Sequence, residues 1–120
     1  SDLVRRELPF MLNLDGILVE GIIDLIFREK GGLILVDYKT DAVTGAELES
    51  RFAHYLSQGQ VYALALAEIT GEPVREASFL FVRTQTVKQI EELDPARLKE
   101  SLRALIREGN APGDGSLKLS

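Results

Sequence analysis

Gly21-Ile22-Ile23-Asp24-Leu25-Ile26-Phe27-Arg28-Glu29-Lys30-Gly31-Gly32-Leu33-Ile34-Leu35-Val36-Asp37-Tyr38-Lys39-Thr40 is the stretch that decides the fold. Two β-branched and apolar runs, 21–27 and 33–38, flank a charged break that carries two glycines. That is the pattern of two strands joined by a tight turn. A two-residue loop at Lys30-Gly31 would set Asp24 opposite Asp37; one at Gly31-Gly32 would set Asp24 opposite Lys39. Side chains alternate faces along a strand, so in either register Asp24, Asp37 and Lys39 share a face. Glu20, four residues before Asp24, joins them unless a bulge intervenes. Carboxylates within oily strands are costly unless their charge is compensated, and a divalent cation does so directly.

An Asp-x-Lys at a strand end is by itself ordinarily a solvated edge or a surface ion pair worth little. Asp24 on the preceding strand and the apolar residues around both acids turn the balance toward a site. Oxygen-only ligands suit Mg²⁺ or Mn²⁺ rather than Zn²⁺, which favours cysteine or histidine. Two carboxylates beside a lysine make sense for phosphodiester hydrolysis. The cation would polarise a phosphoryl oxygen and acidify a water. The lysine would orient that water or offset the charge that develops.

Outward from the hairpin, Leu8, Phe10, Leu12 and Leu14 alternate within Arg5 to Leu14 and predict a first strand. Asn13-Leu14-Asp15-Gly16 supplies the turn after it. Downstream, Thr44-Gly45-Ala46-Glu47 fits a capping box that opens a helix from about Ala46 to Ile69, stopped by Gly71. Gln58 and Tyr62 stack on one face of this helix, with Tyr55 and Arg51 continuing toward its start. Tyr55 and Tyr62 packing on a sheet, with Gln58 a surface amide, would be the plain reading of that face. Beside the acidic hairpin, Gln58 and the Tyr62 hydroxyl become groups that could reach a phosphate or a metal-bound water, and Arg51 a weaker phosphate contact. Ser78–Arg83 and Thr86–Leu93 predict two more strands. Asp94-Pro95 caps a second helix whose stripe is Leu98, Leu102, Leu105 and Ile106, ended by Gly109. From Asn110 onward Gly, Pro and Ser predict a flexible tail.

Glu20-Gly21-Ile22-Ile23-Asp24, Val36-Asp37-Tyr38-Lys39-Thr40-Asp41 and Gln58-x-x-x-Tyr62, in this order, resemble the motifs of the PD-(D/E)xK nuclease superfamily. The likeness is to its RecB/AddA-type branch, the nuclease domain at the C-terminus of bacterial helicase–nucleases. Arg6-Glu7-x-Pro9-Phe10 is also similar to the AddA branch, and the resemblance covers most of residues 5–85. It implies an α/β, restriction-endonuclease-like core with a central mixed sheet flanked by helices. It implies that Asp24, Asp37 and the Tyr38 carbonyl are metal ligands, that Lys39 is the catalytic lysine, and that Gln58 and Tyr62 flank the site. Members usually place a histidine-bearing helix before the hairpin. Residues 1–23 hold no histidine, and the one in the chain, His54, follows Lys39 on the predicted helix, where it reads as a surface residue. The expectation is therefore the N-terminally truncated C-terminal part of a larger protein, weakly active or inactive alone. The nuclease domain would be 1–109, with 110–120 the tail.

Composition bounds the alternatives. The 120 residues are 45% hydrophobic, which suits one globular domain. No apolar run approaches the length of a membrane span, so no membrane partner is expected. Absence of cysteine excludes an iron–sulfur cluster and suits a reducing bacterial cytoplasm. The net charge of −5 runs against tight DNA binding by this chain alone. A cation at the acids, and a helicase feeding the strand, would soften that objection. The expected function is Mg²⁺-dependent DNA cleavage in double-strand-break repair and recombination, within an AddA/RecB-type helicase–nuclease of two different subunits. The alternatives are a free-standing RecB-like or phage-type exonuclease, or a non-catalytic module that holds DNA.

Overall fold

In a computed structural model, which describes residues 2–14, 16–91, 93–107 and 116–119, the turn settles the register left open by the sequence. Strands β2 (Ile17–Glu29) and β3 (Gly32–Lys39) run antiparallel, with Glu29 opposite Gly32 and Leu25 opposite Val36. The loop is thus Lys30-Gly31. Gly32 has φ 138°, and a Cβ there would lie 2.6 Å from the Pro73 carbonyl oxygen. Only glycine fits such an approach. The neighbouring Leu33 N–H donates to that same oxygen at 2.8 Å, tying the hairpin turn to the start of a later strand.

Strand β1 (Asp2–Leu14) pairs antiparallel with β2 and begins three residues before the alternation suggested. After β3 the chain crosses over through helices α1 (Gly45–Ser50) and α2 (Phe52–Thr70) to β4 (Val74–Phe81), which lies parallel to β3. Strand β5 (Thr86–Ile90) returns antiparallel to β4, giving the order β1-β2-β3-β4-β5. A 3₁₀ turn, Pro95–Arg97, is capped by the Asp94 side chain accepting from Ala96 N–H, and helix α3 (Leu98–Leu105) follows.

The capping box forms as expected, with Thr44 accepting from Glu47 N–H and Glu47 reaching back, and Gly71 ends α2 in the left-handed conformation. The single long helix expected there is instead two, parted at Arg51 (φ −100°, ψ 6°). The division follows burial. Helix α1 buries no residue, whereas α2 lays Val61, Tyr62, Ala65 and Leu66 on Ile26, Leu33, Leu35 and Ala77 of the sheet. Leu102 and Leu105 of α3 extend the same core.

The expected tail needs correction. Residues 116–118 form a sixth strand, β6 (Ser116–Lys118), parallel to β2. Leu117 is 0% and Leu119 3% exposed, and Leu119 N–H donates to Glu20 O at 2.8 Å. Burial of two alternating leucines outweighs the local composition. Residues 108–115, including Gly109 and Asn110, and the turn residue Asp15 lie outside the described residues. Among the described residues, no helix is long and apolar enough to cross a membrane.

Candidate active site

Strand β2 offers one edge to two strands in succession. Strand β3 pairs along 25–29 and β6 along 18–20, so the sheet forks over the residues between. Asp24 sits in the fork. The β2–β3 ladder ends at Leu25–Val36, and beyond it the Asp24 Oδ2 accepts the Tyr38 N–H at 2.7 Å. A side chain thus bridges strands that have begun to part. Strand β2 also changes phase here: Ile23 and Ile26 enter the same core, although strict alternation would send them to opposite faces. The opposing position on β1 is Glu7, between the Arg6–Leu25 and Leu8–Ile23 pairs, with φ 49°. A left-handed residue in a strand re-aims the side chains around it.

Asp37 and Lys39 point into the protein, 3% and 7% exposed. Lys39 Nζ lies 3.0 Å from Asp37 Oδ2 and 5.4 Å from the centre of the Phe79 ring. The contact with Asp37 Oδ2 is an ion pair without hydrogen-bond alignment, since that oxygen has no hydrogen-bond partner in the protein. Burial pushes the Asp37 carboxyl up from 3.8 to about 6. Lys39 pulls it down, and contact with Asp24 adds to the rise. Removal from water is thus the larger cause of the rise, ahead of the neighbouring carboxylate. Tyr62 is raised far above an ordinary phenol, first by burial and then by the charges of Asp37 and Asp24. Its hydroxyl and Gln58 Oε1 are, like Asp37 Oδ2, buried without a hydrogen-bond partner. Buried polar atoms without partners are uncommon in native proteins. The three found among the described residues belong to residues singled out from sequence motifs.

Asp24, Asp37, Tyr38 and Glu20 line one open cleft of about 990 Å³. Glu20 stands on its wall, but among the described residues no third Asp, Glu, His or Cys completes a metal-binding group with the two aspartates. The oxygen donors a hard divalent cation would meet in this cleft are the carboxylates of Asp24 and Asp37, together with a backbone carbonyl such as that of Tyr38. Arg51 sits at the α1–α2 junction, held above its ordinary value by the Tyr55 hydroxyl, and 4.0 Å from Glu47. The His54 ring lies edge-on to Tyr55, 5.3 Å between centroids. Two charged residues of the cleft carry no role from the sequence motifs. Glu7 was visible only within a motif, and Lys118 lay in the supposed tail. Leu117 and Leu119, alternating about Lys118, were the signal for a strand there.

Fold and site together define a class, and sequence comparison names it. The profile of the PD-(D/E)XK nuclease superfamily matches residues 2–114, and the chain belongs to that superfamily. Among curated relatives, the ATP-dependent helicase/nuclease A-subunit of Alkaliphilus oremlandii is 45% identical over 100 residues, covering 71% of this chain and 8% of that protein. Its namesake from Carboxydothermus hydrogenoformans is 45% identical over 69 residues, covering 58% of this chain and 6% of that protein. The chain thus spans less than a tenth of the length of these relatives. The crystal structure of SSO0001 superposes with a TM-score of 0.51 at 21% identity, covering 89% of this chain and 50% of that one, which supports the fold.

Proposed function

We propose that the chain is the DNA-cleaving part of a helicase–nuclease, hydrolysing phosphodiester bonds with Mg²⁺ or Mn²⁺ in break repair and recombination. A helicase would feed it the strand, beside a second subunit, in the bacterial cytoplasm. The observation that carries this reading is the buried Asp37–Lys39 ion pair, in which Asp37 Oδ2 has the lysine beside it but no hydrogen bond, with Asp24 alongside. A fold has no need of a half-satisfied buried carboxylate, whose desolvation is costly.

Asp24, Asp37 and the Tyr38 carbonyl would hold the cation, which when bound polarises the phosphoryl oxygen and acidifies a water. Lys39 presents a compact ammonium in a largely water-excluded place, where it orients the attacking water and offsets charge gathering on the phosphate. Tyr62, kept protonated by burial and by two carboxylates, is a buried O–H donor for which the protein supplies no acceptor. A phosphate oxygen would be that acceptor. Gln58 would serve the same region through its amide, and Arg51 more weakly through its charge. Glu20 lies on the cleft wall, where it shapes the approach of the strand.

The test is cleavage of single-stranded DNA in millimolar Mg²⁺ or Mn²⁺ by the full-length protein carrying this chain. Cleavage that disappears in Asp37→Ala, with DNA binding retained, is the expected result. Binding without cleavage in the unsubstituted protein would leave a DNA-holding module instead.

A further inference from the structure

Strand β6 puts a cation where nothing else in the cleft wall supplies one. Lys118 lines the same cleft as Asp24 and Asp37, and every other charged residue of that lining is an acid, Glu7 and Glu20 included. Of these acids Asp37 is buried against Lys39, and the other three, Glu7, Glu20 and Asp24, repel a polyanion at the opening. Lys118 is exposed and, among the described residues, makes no hydrogen bond or ion pair, although Glu20 is its neighbour across the β2–β6 rung.

Its position is nonetheless fixed. Leu117 and Leu119 on either side are buried in the main core. Leu119 N–H is bonded to the Glu20 carbonyl. Gly21 leaves room for the strand, since a Cβ on it would stand 3.2 Å from the Leu119 Cβ and from the Phe10 ring. The backbone of Lys118 is thus anchored on both sides while its ammonium is left to the cleft. A lysine so held loses less freedom on meeting a ligand than one on a loose tail.

We propose that β6 is the second jaw of the cleft and that Lys118 contacts a backbone phosphate of the nucleic-acid strand bound at the Asp24–Asp37 site. It acts as a positioning residue. This rests on the nuclease reading, and it adds that β6 takes part in seating the substrate.

The test is equilibrium binding of a fluorescent single-stranded oligonucleotide to the 120-residue chain across a salt series, for wild type, Lys118→Ala, Lys118→Arg and, outside the cleft, Arg103→Ala. Lys118→Ala should weaken binding several-fold at low salt and reduce the slope of log affinity against log salt by about 0.7, the value for one phosphate contact on a single strand. Lys118→Arg should restore most of it, and Arg103→Ala should match wild type. An unchanged melting temperature in Lys118→Ala would separate lost contact from lost structure. Equal affinity and slope in Lys118→Ala and wild type would overturn the proposal, as would absence of binding by the wild type. If the oligonucleotide results hold while the unsubstituted full-length protein binds DNA without cleaving it, the nuclease reading fails and the phosphate contact stands.

Discussion

Asp37→Asn should remove a pH dependence of stability that originates in one carboxyl. That carboxyl is raised from 3.8 to about 6, mainly by burial. Its folded value lies above its unfolded one, so the native state keeps a proton that the unfolded chain gives up. The stabilisation from that proton is fully present below about pH 4 and is lost as pH rises through about 6. At about 1.4 kcal/mol per pH unit the gap corresponds to about 3 kcal/mol. Asparagine has no proton to lose. The unfolding free energy of Asp37→Asn minus that of wild type should therefore climb by about 3 kcal/mol from about pH 4 to about pH 7.5. Any constant offset reports the lost contact with Lys39, which does not affect the slope. Urea unfolding in EDTA at successive pH values measures the difference. A difference flat to within about 0.5 kcal/mol, or falling with pH, would refute the reasoning, since extrapolation error is of that order. Millimolar Mg²⁺ at about pH 7.5 should then stabilise wild type and leave Asp37→Asn little changed, because a ligand stabilises only the state that binds it.

Lys39→Ala should abolish cleavage in the full-length protein with little effect on DNA binding, and Lys39→Arg should not restore it, because the buried site fits a compact ammonium and not a wider guanidinium; single-turnover cleavage beside a binding titration reads both. Gly32→Ala should destabilise the fold by more than about 1 kcal/mol, since neither its φ nor the Pro73 carbonyl accommodates a Cβ; the midpoint of urea unfolding measures it. Leu117→Ala should cost about 2–5 kcal/mol for a fully buried leucine, whereas a frayed tail would cost nothing, so the same unfolding assay tests whether β6 belongs to the core.

Much of this was legible where local chemistry dictates geometry. The glycines of the hairpin left two registers open, and contact with Pro73, far away in the sequence, selects between them in the structure. Thr44, Glu47 and Gly71 carry their capping chemistry in their own side chains or lack of one, so α1 begins and α2 ends where the sequence suggests. The break at Arg51 was not legible, because nothing in its neighbours' helix propensity forbids a continuous helix; packing divides it. Strand β6 was hidden by the Gly, Pro and Ser that precede it, and three residues are too few for periodicity to stand out. At the candidate site, Asp24, Asp37, Lys39, Gln58 and Tyr62 were singled out from motifs, and the structure supplied what spacing could not: that Asp37 Oδ2, Gln58 Oε1 and the Tyr62 hydroxyl are buried without a hydrogen bond. Glu7 entered through a backbone φ that a glutamate rarely adopts and that no pattern of side chains announces.

The fork in β2 has a consequence for how the protein is born. The edge of β2 at 18–20 is completed only by 116–118, so the rung between Glu20 and Lys118 closes a loop of nearly the whole chain. On a ribosome, β1 through β5 can pair while that edge is still bare, since their partners have already emerged. Until β6 arrives, Val19 is without its partner Leu117, and the open edge is a template for pairing with another nascent chain. Emergence of Leu117 and Leu119 would then be the step that both protects the sheet and finishes the cleft, so a protein stalled just short of Ser116 would carry Asp24 and Asp37 beside an unguarded edge.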